Sequence, residues 1–114
     1  SQGFPDFDPP KELEDAAKKA LDEGHHQYAI TWGAPRFRQA LVKKQQRFTG
    51  LNLDADSNIV VTCGSTEAMM TAMITATNPG DRVIVFSPFY DKYGADTILA
   101  GDEPTYVPLR PTDF

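Results

Sequence analysis

Apolar and polar positions follow one another along this chain in blocks whose period changes several times. Between Pro10 and Gly24, Leu13, Ala16, Ala17, Ala20 and Leu21 recur at helical spacing, and lysines and glutamates fill the other face. A proline in the first turn and a glycine just past the last one bound that helix, whose charges read as a solvated surface. A second helix is predicted from Pro35 to Phe48, with Phe37, Leu41, Val42 and Phe48 as its buried face and Gly50 ending it. Ahead of the first helix, residues 3–10 hold three prolines and a glycine, which excludes a helix or a central strand and leaves an extended lead-in. Residues 25–35 form an aromatic, glycine-containing loop, and residues 51–58 a polar connection.

From residue 59 the alternation becomes regular: strand 59–62, helix 65–77, the turn Asn78-Pro79-Gly80-Asp81, strand 82–86, a loop at Ser87-Pro88, helix 90–100 and strand 104–108. Ile59-Val60-Val61 and Val83-Ile84-Val85-Phe86 are continuous apolar runs, the pattern of strands buried on both faces of a parallel sheet. The order is α/β, and the expected fold is a three-layer, mostly parallel sheet flanked by helices. The helix over 65–77 carries Ala68, Met69, Met70, Ala72, Met73, Ile74 and Ala76, so it is apolar around most of its circumference and is expected to be buried between the sheet and another layer.

Composition narrows the picture. A length of 114 residues, 40% of them apolar, fits one domain with a modest core. Sixteen acidic against eleven basic residues give a net charge of -5 with no basic cluster, which argues against a nucleic-acid partner. No run approaches the roughly 20 apolar residues that span a bilayer, and no basic-then-apolar leader opens the chain, so a soluble, cytoplasmic protein is expected. The single cysteine, Cys63, excludes an intramolecular disulfide framework, fits a reducing compartment and reads as a small core residue. Adjacent His25 and His26 lack ligand spacing and a nearby acidic or cysteine partner, so no metal site is assigned.

Candidate chemistry concentrates in Thr62-Cys63-Gly64-Ser65-Thr66-Glu67-Ala68, where an apolar strand gives way to a helix. The first amides of a helix have no partner within it, and the helix dipole adds partial positive charge, so a phosphate is well received there. Gly64 lets backbone approach a ligand closely, and Ser65 and Thr66 each offer a hydroxyl donor. An ordinary N-cap is the other reading of the same residues, with Ser65 or Thr66 capping and Glu67 well placed in the first turn.

Four stretches taken together resemble the N-terminal part of a class I aminotransferase, a pyridoxal phosphate enzyme of fold type I. They are Gln2-Gly3-Phe4-Pro5-Asp6-Phe7, Gln27-Tyr28 followed by Gly33 and Pro35, Thr62 to Ala68, and Asn78-Pro79-Gly80-Asp81 with Pro88-Phe89-Tyr90 downstream. The resemblance is nearest to the branch of kynurenine, glutamine and methionine aminotransferases and cysteine conjugate β-lyases. It implies that Gly64, Ser65 and Thr66 form the cup for the cofactor phosphate and that Tyr90 stacks on the pyridine ring. It also implies that Tyr28 reaches across a homodimer interface to the partner's cofactor phosphate, and that the backbone of Gly3 lies against the substrate carboxylate. Residues 1–34 would then be the lead-in, first helix and interface loop, and residues 35–114 part of the cofactor-binding large domain.

The same resemblance requires a Schiff-base lysine far downstream in a small-residue run, and none of Lys11, Lys18, Lys19, Lys43, Lys44 and Lys92 has that context. Partners for the pyridine nitrogen and ring oxygen, and a carboxylate-clamping arginine, are missing as well; Arg110 is no candidate for the clamp. The expectation is therefore the front part of a longer transaminase acting on an amino acid and a 2-oxo acid, with no catalytic residue in this stretch. A lyase or decarboxylase of the same fold, an aminotransferase-like regulator sensing the cofactor, and a freestanding phosphate-binding module are the alternatives. Trp32, Phe4 and Phe89 hint at aromatic or sulfur-containing substrates, although core packing accounts for each.

Overall fold

The computed structural model describes residues 3–112; Ser1, Asp113, Phe114 and the motif residue Gln2 lie outside them. The elements run α1 (Lys11–Asp22), α2 (Pro35–Thr49), α3 (Gly64–Ala76), β1 (Arg82–Ser87), α4 (Lys92–Leu99) and β2 (Glu103–Pro108). Prolines and glycines set the ends as expected. Pro35 opens α2, and Gly50, at φ 76°, closes it with its amide bonded to the Gln46 carbonyl.

β1 and β2 pair in parallel, with Arg82 opposite Glu103 and Ser87 opposite Pro108, and α4 is the crossover between them. The turn 78–81 holds the start of this unit. Asp81 N–H donates to Asn78 O at 2.9 Å, Gly80 N–H to Gly101 O at 2.8 Å, and Glu103 N–H to Asp81 O at 2.9 Å, so one turn anchors the head of both strands. At the other end α4 covers the sheet through Gly94. A Cβ there would meet Tyr106 Oη at 2.7 Å, and its absence lets the Tyr106 ring stack on Phe89 with centroids 5.1 Å apart. Thr77, just past α3, donates its hydroxyl to the buried Asp102 carboxylate at 2.5 Å and so ties α3 to the head of β2.

Several expectations change. Residues 59–62 form no strand; Val61 N–H donates to Trp32 O at 3.0 Å, but no ladder follows, and the sheet among the described residues has two strands. An apolar run becomes a strand only where a neighbour completes its hydrogen bonds. The β1 run is covered on one face only: Val85 is buried, while Ile84 and Phe86 are 62% and 57% exposed. α3 has no buried residue, and Cys63 is exposed instead of in a core. In α2 the buried side chain is Arg38, whereas Phe37 and Phe48 are exposed and Leu41 and Val42 half-buried. The common cause is that an apolar face states what a helix or strand would bury, and burial needs a second surface. The backbones of α1 and α2 approach no other element closely among the described residues, and the radius of gyration of 18.4 Å exceeds the ~13 Å of a compact domain of about 100 residues. No helix among the described residues is long and apolar enough to cross a membrane.

Candidate cofactor site

The start of α3 is built differently from the N-cap read in the sequence. The cap position belongs to Cys63, whose side chain makes no capping bond. Glu67 supplies the cap from inside the helix: its carboxylate accepts the Cys63 N–H, much as the glutamate of a capping box reaches back. Gly64 stands at φ 74°, with its amide turned to Thr62 O at 2.8 Å and its carbonyl accepting the Thr62 hydroxyl at 3.0 Å. Ser65 and Thr66 are therefore in the first turn of the helix, not capping it. Their N–H groups and hydroxyls find no hydrogen-bond partner among the described residues, and both side chains are exposed. Two amides and two hydroxyls at the positive end of a helix dipole make a donor set suited to an anion.

A groove of about 610 Å³ lies beside α3, lined by Met69 and Met73 of the helix, Val83 to Phe86 of β1, and Pro88, Phe89, Tyr90 and Tyr93. Ser65, Met69 and Met73 recur every four residues, so Ser65 stands on the helix face that lines this groove, about 6 Å along the axis from Met69. Tyr90 is among the lining residues, 62% exposed, with its ring edge-on to Tyr93 at 6.0 Å. It follows the cis Ser87–Pro88 bond at the C-terminal end of β1, the end of a parallel strand where ligands of α/β folds gather. The groove thus offers an apolar wall and aromatic side chains, one helical turn from the unpartnered donors of Ser65 and Thr66.

The other candidate residues stand apart. Tyr28 is fully exposed and shares a shallow concavity only with His26 and Gln27. Gly3 is exposed, with no atom within 4 Å of where a Cβ would stand. Of the sequence-predicted site residues, Tyr90 lines this groove; Gly64, Ser65 and Thr66 lie one helical turn beyond the lining residue Met69 without lining it themselves, and Tyr28 and Gly3 are not part of it.

One residue of this region was missed in the sequence. Arg38 is 2% exposed, and its guanidinium donates to Gly33 O at 3.0 Å, to Asp56 Oδ1 at 2.8 Å and to Ala55 O. A signal was present: Arg38 is three residues before Leu41 and four before Val42, so it shares the face that α2 turns inward. Beside it, Asp54 accepts from the amides of Asp56 and Ser57, each at 2.9 Å, and from the Ser57 hydroxyl at 3.0 Å. The Ser57 hydroxyl foremost, then those amides, hold the Asp54 carboxyl below its ordinary value of 3.8. No group of three or more metal-ligating side chains occurs among the described residues.

Residues 1–114 match the family model described as aminotransferase class I and II. The chain is 40% identical to a methionine aminotransferase of Escherichia coli over 114 residues, which is all of this chain and 30% of that protein. It is 36% identical to a kynurenine–oxoglutarate transaminase of Dictyostelium discoideum, covering 96% of this chain and 25% of that protein. Among solved structures, the E. coli methionine aminotransferase superposes with a TM-score of 0.92 over 97% of this chain and 29% of its own. The N-succinyldiaminopimelate aminotransferase of Mycobacterium tuberculosis superposes with a TM-score of 0.90 at 36% identity, over 96% of this chain and 29% of its own. The chain thus spans about 30% of the length of these relatives.

Proposed function

Since the chain belongs to the class I and II aminotransferase family, we propose that the polypeptide carrying it is a pyridoxal phosphate-dependent aminotransferase, moving an amino group from an amino acid to a 2-oxo acid. The family uses pyridoxal phosphate, and the relatives above are described as aminotransferases. The observation that carries the reading is the pair of unpartnered donors, Ser65 and Thr66, at the head of a helix whose groove face also meets Tyr90.

The residues present fit the cofactor. Its phosphate is an anion, and the one carboxylate in the first turn, Glu67, is turned back onto Cys63 N–H. When bound, the cofactor supplies an electron sink for the bond broken at the substrate α-carbon. This chain's part is to hold and orient. Gly64, Ser65 and Thr66 fix the phosphate end, and Tyr90 lies on the ring face, sets its plane and keeps water from it. Tyr28 serves the phosphate of a partner subunit in a homodimer, where its full exposure becomes an interface position. The Gly3 backbone lies beside the substrate carboxylate. Proton transfer at the α-carbon is assigned to a lysine outside residues 1–114, because none of the six lysines here has the family's context and Lys92 is paired with Asp96 at 2.7 Å. In the same reading, residues 1–34 are the lead-in and interface loop, and β1-α4-β2 is part of a three-layer, mostly parallel sheet. The uncovered Ile84 and Phe86 support that extension.

The test uses the full-length polypeptide. It is expected to take up pyridoxal phosphate with an absorbance band that shifts when an amino acid is added, and a protein that stays colourless in excess cofactor overturns the reading. Replacing Ser65 and Thr66 together with alanine removes two hydroxyl bonds to a charged group, each worth about 1.5–3 kcal/mol. At about 1.4 kcal/mol per tenfold, the Kd for the cofactor rises at least tenfold even with strong non-additivity. Unchanged affinity rules out the phosphate cup.

A further inference from the structure

We infer that Arg38 is a positioning residue for the turn at the head of α3, acting through the 30–34 loop and Val61 without touching a ligand. The inference rests on the reading of Ser65 and Thr66 as phosphate donors.

Among the described residues, 59–62 pair with no strand, and α3 is joined to the rest of the fold through α4 and the bond of Thr77 to Asp102. Its head has a further attachment. Following the contacts back from Gly64 leads to one guanidinium. Gly64 is bonded at both its amide and its carbonyl to Thr62. Val61, the residue before, donates its N–H to Trp32 O at 3.0 Å, and its side chain lies so close to Gly33 that a Cβ there would be 2.4 Å from Val61 Cγ2. Gly33 in turn gives its carbonyl to Arg38 Nε at 3.0 Å.

The other arm of the same guanidinium holds Ala55 O and Asp56 Oδ1, in the connection that delivers the chain to Val61 from the opposite direction. Arg38 therefore clamps both segments that flank the approach to the turn. A rigid, planar fork with several donors can do this, and a lysine in its place offers a single point charge. The arrangement also accounts for a charged side chain at the inward face of α2, since that face meets these loops through the Arg38 guanidinium.

A merely structural arginine predicts something different, and the two are separable. In the full-length polypeptide, cofactor Kd is measured by absorbance titration for wild type, R38M, R38K and D56A, alongside the Tm of each cofactor-free protein. Asp56 has a side chain 85% exposed, so D56A removes one arm of the clamp with little risk to folding. The positioning role predicts a rise in Kd of tenfold or more for R38M, a smaller rise for R38K and a smaller one again for D56A, all in proteins that still fold. It also predicts that T66A, which weakens binding in the wild-type background, weakens it less than half as much in the R38K background, because the turn it belongs to is already displaced.

Variants that lose Tm but bind the cofactor as tightly as wild type, or whose losses simply add to that of T66A, overturn the inference. If R38M does not fold, R38K and D56A carry the same test. A wild-type protein that takes up no cofactor overturns the proposed function and this inference with it, whereas tight wild-type binding with insensitive Arg38 variants removes this inference alone.

Discussion

Replacing Gly33 with alanine puts the loop that supports the α3 turn to a quantitative test. Two costs act together. The residue sits at φ 105°, where an L side chain is strained by on the order of 1–3 kcal/mol. Its new Cβ would stand 2.4 Å from Cγ2 and 2.5 Å from Cβ of Val61, well inside the roughly 3.5–4.0 Å of an ordinary carbon contact. The second of those atoms is next to backbone and cannot swing aside, so overpacking adds about 1–3 kcal/mol. Stiffening of the unfolded chain returns only about 0.4–1 kcal/mol, and the net loss is about 3 kcal/mol. Gly50 provides the control. It is also left-handed, at φ 76°, but a Cβ there meets open space, so G50A carries the backbone cost alone and loses about 1 kcal/mol. Urea denaturation of the full-length polypeptide, compared at equal m, reads the difference between the two variants. Equal losses for G33A and G50A would refute the close approach of Gly33 to Val61, and with it the route from the 30–34 loop to the turn.

Two further outcomes follow from polar contacts. Ser57 to alanine removes the largest cause of the lowered Asp54 carboxyl, so its titration moves up toward 3.8 by carboxyl NMR, although the two amide bonds remain. Because the folded value lies below the unfolded one, this contribution to stability is present above about pH 3.9 and is lost as pH falls through the folded value, and S57A shrinks it; a titration that does not move excludes the hydroxyl as its cause. Thr77 to valine strips the buried Asp102 carboxylate of its hydroxyl donor and costs about 2 kcal/mol, whereas Thr75 to valine removes only an exposed bond to the Thr71 carbonyl. Denaturation midpoints that fall equally for T77V and T75V contradict the link between α3 and the head of β2.

Local chemistry was legible in the sequence to within a residue or two where a single side chain decides it. Pro35 and Gly50 bound α2 because a missing N–H and a missing Cβ act without any partner. The runs at 82–86 and 104–108 became parallel strands because each supplies the other's ladder. That Ser65 and Thr66 stand in a first helical turn was also legible, to within a residue of the observed start of α3. What the sequence withheld depends on a second surface: whether 59–62 pairs, whether α3 and Cys63 are covered, and which side chain of α2 goes inside. The cap at α3 shows the same limit on a smaller scale. Ser65, Thr66 and Glu67 are all competent to cap, and only the geometry shows that Glu67 takes the role and leaves the two hydroxyls without a partner among the described residues.

Among the described residues no strand leads into α3, and its first turn meets the preceding loop through one backbone bond, Val61 to Trp32, and through the close approach of Val61 to Gly33. The loop that provides both also carries Tyr28, four residues before Trp32. Under the proposed function, that couples the group reaching a partner's phosphate to the turn holding this subunit's own. Movement of Tyr28 toward or away from an interface would pull on Trp32 and so on the head of α3, with the Arg38 guanidinium setting how far the loop can yield. Under that reading the Arg38 clamp is one support of the site, beside the packing of α3 on α4 and the bond of Thr77 to Asp102.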